Sequence, residues 1–192
     1  MKKQLGSKPL LFPMPAVMVG TYCEDGNPDA MTAAWAAVCC WEPVCAGVAV
    51  RKNRMTFANI LQTKAFTLNV PSTSQAAEVD YVGIVSGNKE PTKLSIAKLD
   101  TSRGERVNAP LINACPVNVE CRLVDQMELG SHTWFAGEIM EVHVDEEYVL
   151  ENGKVDGKAL DPLIYVTSLS KYFSLGEPVA DAYSIGKKIK KG

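Results

Sequence analysis

At 192 residues, with 46% apolar and 22% charged side chains, the chain has the balance of one globular domain, long enough to enclose a core without disulfide or metal staples. A formal charge of -2 gives no electrostatic case for nucleic acid, and the basic Lys187, Lys188, Lys190 and Lys191 read as a solvated tail. Pro9, Pro13 and Pro15 interrupt the N-terminal region before any apolar run of about 18 residues can form, so a cytoplasmic protein with no membrane span is expected.

Residues 14–22 form a β-branched, apolar run closed by Glu24-Asp25-Gly26-Asn27-Pro28, in which Asp-Gly and Asn-Pro both favour a turn. A hairpin follows, with residues 29–40 as its second arm; their alanine content would permit a helix, but a turn of this kind joins paired strands. Trp41-Glu42-Pro43 punctuates the chain before a further strand over residues 44–50. Asn53 is placed to cap a short helix through Thr63 that brings Phe57, Ile60 and Leu61 onto one face. Residues 65–70 return to strand. Ser72 can cap a second helix carrying Glu78 and Tyr81, with Gly83 placed to end it. Residues 86–98 are polar and without period, which suggests a functional loop.

Beyond Val117 the alternation is clear: Val117, Val119, Cys121 and Leu123 on one face, Asn118, Glu120 and Arg122 on the other, as in a half-buried antiparallel strand. Residues 134–145 alternate likewise, and Leu129-Gly130-Ser131 can join the two strands into a long hairpin. Asn152-Gly153-Lys154 and Asp156-Gly157-Lys158 are turn signals before a last strand over residues 163–167. Six or seven strands with two short helices between the third and the fifth predict a mainly β, barrel-like domain with helical trim.

The usual catalytic motifs are missing: no G-x-S-x-G, H-E-x-x-H, G-x-x-x-x-G-K-[ST] or G-x-G-x-x-G occurs. The cysteines at 23, 39, 40, 45, 115 and 121 form no C-x-x-C pair, so buried, reduced thiols are expected rather than a metal or cluster site. Arg51-Lys52-Asn53-Arg54-Met55-Thr56 sits between a strand and a helix start, where guanidinium groups, a hydroxyl and free amides can cradle phosphate. Solvated charges at a strand end explain the same string, and spacing alone leaves both readings open. Met31, Thr32, Ala33, Ala34 and Trp35 form a strand of small side chains beside one aromatic wall, suited either to a flat ligand read by the backbone or to tight packing beneath a helix. His143, between Glu141 and Asp145, is expected at the surface, whereas His132 stands at a hairpin end that can deliver it to a pocket.

These strings, with Val19-Gly20-Thr21, Phe66 to Asn69, Asp80-Tyr81, Ser86-Gly87, Ala109-Pro110-Leu111-Ile112, Glu120-Cys121 and Gly137-Glu138, resemble the flavin reductase-like family, especially its flavoredoxin-type members. The resemblance spans residues 12–178, in order, and treats all 192 residues as one domain. It implies an FMN-binding split β-barrel of Greek-key type with short peripheral helices, assembled as a homodimer with each flavin near the subunit interface. At matching positions it puts Asp29 and residues 31–35 along the ring and ribityl chain; Arg51, Asn53, Arg54 and Thr56 at the phosphate, helped by Ser86, Gly87 and Lys93; and His132 and Tyr165 beside the ring. Asp29 stands where many relatives carry Asn, and Thr92-Lys93-Leu94 replaces Asp-Lys-Phe. The implied activity is electron transfer through FMN, as a flavoredoxin or an NAD(P)H-dependent flavin reductase, with NAD(P)H or another protein as electron partner. The catalytic chemistry would lie in the flavin, with His132 the one side-chain candidate. A flavin-storage module without turnover is the alternative, and a thiol-based metal-sensing domain the third reading.

Overall fold

A computed structural model describes residues 1–189 of the chain. In chain order the strands and helices are β1 (Met14–Pro15), β2 (Val17–Tyr22), β3 (Pro28–Ala33), β4 (Ala36–Trp41), β5 (Val44–Val50), α1 (Met55–Thr63), β6 (Ala65–Val70), α2 (Ala76–Ile84), α3 (Lys93–Ile96), β7 (Thr101–Arg103), β8 (Pro110–Ile112), β9 (Val117–Glu128), β10 (Thr133–Val144), α4 (Gly157–Leu160), β11 (Ile164–Val166) and β12 (Lys171–Phe173). None of the helices among the described residues is long and apolar enough to cross a membrane.

The main sheet has seven antiparallel strands in the order β3-β2-β6-β9-β10-β5-β4. Its two edges, β3 and β4, follow each other in the chain with only Ala34 and Trp35 between them, so the sheet has to curl until the edges meet. The Ala49 amide donates to the Trp35 carbonyl at 2.9 Å and ties that corner shut. The result is a mainly β split barrel with short peripheral helices, barrel-like as the strand pattern predicts and split as the resemblance implies. Its second arm is corrected: residues 29–40 are two strands at opposite edges and not one, because the chain changes sides of the barrel at this pair of residues.

Two cores follow from the two faces of this sheet. Val17, Val19, Met31, Val48, Val50, Phe66, Leu68 and Phe135 point inside, and α1 stops one end with Ile60. Phe57 meets Phe135 edge to face at a centroid distance of 5.4 Å. On the outer face Met18 and Ala30 pack with Val79 and Val82 of α2 and with Leu94, Ile112 and Leu163. Each fully buried Val, Ile, Leu, Met or Phe side chain among them contributes roughly 1.5–3 kcal/mol. Strand β2 is therefore buried on both faces, which is why residues 14–22 read as a continuous apolar run.

Local expectations hold unevenly. Arg54, not Asn53, occupies the N-cap of α1, and no side chain closes the cap. Ser72 does start a helical segment: its amide donates to the Gln75 side chain at 2.8 Å, and a 3-10 turn leads into α2. Gly83 lies inside α2 rather than beyond it; a Cβ there would come within 3.0 Å of Thr32 Cβ, so the small residue lets helix and strand approach. The polar segment 86–98 contains α3. Gly26 and Gly130 adopt φ of +81° and +80° at the two predicted hairpin turns, where a side chain would be strained.

The polar face assigned to β9 is corrected as well. Asn118 and Glu120 are buried at 9% and 0% exposure, beneath the segment that carries β7 and β8. Glu120 accepts from the amides of Glu105, Arg106 and Val107 at 2.8–3.0 Å and lies 2.7 Å from Nε2 of His143, whose side chain stays 27% exposed at the surface while this ring nitrogen faces the carboxylate. Cys39 and Cys40 on β4 are exposed, contrary to the expectation of buried thiols, while Cys45, Cys115 and Cys121 are buried. Lys187 and Lys188 are exposed at the C-terminal end; Lys190 and Lys191 lie outside the described residues.

Candidate cofactor cleft

At the corner where β3 gives way to β4, an open cleft of about 260 Å³ lies against the outside of the barrel. One wall is the chain from Met31 to Trp35 together with Ala49 of β5. Alanine side chains leave this wall low, so a ligand can reach main-chain groups that the strand's edge leaves unpaired. Thr32 adds no bulk, because its hydroxyl is turned to the Val79 carbonyl of α2.

One end of the cleft is cationic. Arg51, just past β5, and Arg54, at the start of α1, both line it. The first turn of α1 contains no acidic residue and receives no side-chain cap, so its partial positive charge adds to the two guanidinium groups. Lys52 points elsewhere, to Glu128 at 2.9 Å on the surface. Opposite, Tyr165 of β11 and Thr167 complete the lining. Tyr165 is held against Tyr172 of β12 with ring centroids 5.7 Å apart.

His132 enters from the turn between β9 and β10, as the hairpin position predicts. Its ring lies 4.8 Å from that of Trp35, and its Nε2 receives the Arg51 Nε–H at 3.4 Å. Desolvation, and then the Arg51 guanidinium, hold the imidazole below its ordinary value of 6.5. At neutral pH it is uncharged and serves as an acceptor.

Of the fifteen residues expected at a cofactor, Met31, Thr32, Ala33, Ala34, Trp35, Arg51, Arg54, His132 and Tyr165 share this one cleft. The structure does not bring the other six to its walls. Asp29, Thr56 and Lys93 are buried behind it in contact with one another, Thr56 Oγ1 donating to Asp29 at 3.4 Å and Lys93 Nζ lying 3.0 Å from the same carboxylate. Gly87 packs on Asp29, and the Ser86 carbonyl closes a turn by accepting from Lys89 and Glu90. Asn53 is exposed, with its carbonyl accepting from Asn88 at 3.2 Å. Ala49 and Thr167 are cleft residues that the sequence reading missed; Ala49 could have been found from the alternation of β5, which turns Val48 and Val50 inward and Ala49 out.

The cleft can therefore take a flat group against a low backbone wall while holding an anionic group at the α1 corner. The fold that carries it is shared with known proteins. The chain is 40% identical to the flavoredoxin of Desulfovibrio vulgaris (Miyazaki F), with 97% of this chain and all of that one superposed at a TM-score of 0.92. A flavoredoxin from Methanosarcina acetivorans is 29% identical over 98% of this chain and all of its own, at a TM-score of 0.89. The fold extends to a split-barrel protein from Shewanella frigidimarina that is 22% identical, with 89% of this chain and 86% of that one aligned at a TM-score of 0.80. Residues 10–175 match the family model of the flavin reductase like domain, and the chain belongs to that family.

Proposed function

We propose that this protein holds FMN without a covalent bond in the cleft and passes electrons through it, as a flavoredoxin or as an NAD(P)H-dependent flavin reductase. The observation that carries the reading is the meeting, in one cleft, of the bare wall from Met31 to Trp35 with the cationic corner of Arg51, Arg54 and the uncapped start of α1. These residues fit a phosphorylated flat ring: the wall offers main-chain donors and acceptors to a polar ring edge, and the corner offers guanidinium groups to a phosphate. Bound FMN would supply reversible hydride and electron chemistry, which a site without an acid–base pair of its own needs. The chain's residues bind and orient. Trp35 and Tyr165 wall the cleft, and neutral His132, whose Nε2 is taken by the Arg51 Nε–H, adds no charge of its own.

A homodimer belongs to the same reading. Strand β4 ends the sheet with apolar side chains turned outward, Val38 at 67% exposure and Trp41 at 85%, and a second copy of the chain would cover them. Light scattering giving twice the chain mass supports this, and a monomer at high micromolar concentration removes it.

The deciding experiment is anaerobic titration of the protein with FMN, followed by stopped-flow mixing with NADH or NADPH. Saturable quenching of flavin fluorescence, then bleaching of the flavin absorbance by one of the nucleotides, is the expected result for a reductase. Binding without bleaching by either leaves a carrier fed by another protein. FMN fluorescence unchanged by excess protein overturns the reading.

A further inference from the structure

Strand β4 leaves the cleft at Ala36, and its other end carries a feature that flavin binding does not use. All six cysteines of the chain are free thiols. Two of them meet across a strand pair: Cys40 of β4 is the register partner of Cys45 of β5, with Trp41 opposite Val44 and only Glu42 and Pro43 left to make the turn. Directly opposed residues of an antiparallel pair share one face with Cα atoms about 4.5–5.5 Å apart, inside the span of about 4.4–6.8 Å that a disulfide bridges.

The register also settles which way the pair points. Ala46 packs in the inner core, so its neighbour Cys45 faces out of the barrel, and Cys40 with it. Val38 and Trp41 are paired with Ala46 and Val44, which alternate with Cys45, and so lie on the other face of the hairpin. The surface assigned above to a second copy therefore leaves the thiol pair uncovered. An irregularity between Val38 and Cys40 takes Cys39 out of the ladder.

The two thiols differ in access. Cys40 is exposed, and its Sγ–H donates to the Glu42 carbonyl at 3.5 Å, a contact that rotation about χ1 releases. Cys45 is 7% exposed. Burial, and then the charges of Cys40, Cys39 and Glu138, raise the Cys45 thiol above its ordinary value of 9.0, so it stays protonated at neutral pH. An oxidant from solvent thus reaches Cys40 first, with Cys45 held opposite.

We infer that Cys40 and Cys45 form a reversible dithiol–disulfide site whose oxidant is a hydroperoxide. In the first step the Cys40 sulfur attacks the O–O bond of hydrogen peroxide, becomes a sulfenic acid and releases one water. In the second, the Cys45 sulfur attacks the Cys40 sulfur; the S–S bond forms, and the hydroxyl leaves with the Cys45 proton as a second water. The two thiols give up two electrons and two protons, and the peroxide takes both. The bond keeps Cys40 from further oxidation, and a small dithiol restores the pair.

The experiment treats the full-length protein, reduced and freed of reductant under anaerobic conditions, with a small molar excess of hydrogen peroxide and counts thiols after denaturation. Two of the six should disappear, with the mass of one chain lower by two hydrogens. Chymotryptic cleavage after Trp41 separates the two cysteines, so their peptides should appear as one linked species that dithiothreitol parts. Cys39→Ser should still lose two thiols, Cys40→Ser should lose none, and Cys45→Ala should leave Cys40 as a sulfenic acid that dimedone traps. If the buried substitution fails to fold, the wild-type linkage and the exposed Cys40→Ser decide. Six thiols remaining after peroxide, a linkage through Cys39, or a bond between two chains overturns the inference.

Discussion

Trp35 and His132, 97 residues apart in the chain, stand with ring centroids 4.8 Å apart and planes inclined at 51°, and together form one lip of the cleft. Trp35 comes from the corner between the two edge strands and His132 from a hairpin turn, so the lip exists only because the barrel closes. The imidazole also accepts from Arg51, and protonating it would set two cations against each other.

Titration of His132 therefore has a defined sign. Partial burial and the Arg51 charge lower its value from 6.5, so the unfolded chain binds this proton at a higher pH than the folded one does. The contribution to stability is present above about 6.5 and declines as the pH falls through that value. Proton NMR of the imidazole C–H signals should give a midpoint below 6.5, and Arg51→Ala should move it upward without restoring it fully, because desolvation is the larger cause. A midpoint unmoved by Arg51→Ala would show that the two side chains do not meet in solution.

Arg54 holds the corner from the N-cap of α1 without capping it. Replacing it by alanine should weaken FMN binding by about 1.5–3 kcal/mol, the worth of a charge-assisted hydrogen bond, while riboflavin binding stays nearly constant. Fluorescence titration with both flavins checks this. An equal loss for the two would mean that Arg54 supports the ring and not the phosphate.

Glu120 supports a prediction about the fold rather than the cleft. Burial raises its carboxyl, but the bonds from His143 and from the amides of Arg106, Glu105 and Val107 outweigh that and bring it below the ordinary value of 4.5. The unfolded chain takes up the proton first on acidification, so the stability from this network is complete above about pH 4.5 and is lost as the pH falls below it. Glu120→Gln turns an acceptor into a donor facing amide donors and should cost about 3 kcal/mol or more at neutral pH. Urea unfolding between neutral pH and pH ~3 should show the variant less stable and less acid-sensitive than wild type.

What could be read from the sequence, and what could not, divides along one physical line. Elements defined by their own pattern were legible: β5 and β6 fall on residues 44–50 and 65–70 as predicted, and the small-residue wall of the cleft was visible as the string from Met31 to Trp35. Features that depend on what a residue meets across the fold were not. Nothing local to residues 29–40 announces that Ala34 and Trp35 carry the chain from one sheet edge to the other. Glu120 alternates as an exposed strand residue would, and only the amides of residues 105–107 make it buried. The resemblance puts Lys93 at the phosphate; that its ammonium also lies 3.0 Å from the Asp29 carboxylate, 64 positions earlier in the chain, is something no local pattern announces.

Gly47 gives the most direct test of the outer wall of the barrel. The indole of Trp134, on the neighbouring strand β10, occupies the space a side chain would need: a Cβ on Gly47 would lie 2.2 Å from Trp134 Cζ2. Backbone strain is not the reason for glycine here, since the residue lies within a regular strand paired with Ala136 and Ala37. The clash involves a ring that also lines the apolar groove beside Ala36 and Ala37, so Gly47→Ala must displace the indole. Overpacking of this kind costs about 1–3 kcal/mol. A thermal melt should show the loss, and the Trp134→Ala background should remove it, because without the indole the added methyl has room. A full penalty persisting in that background would assign the need for glycine to the backbone instead of the ring.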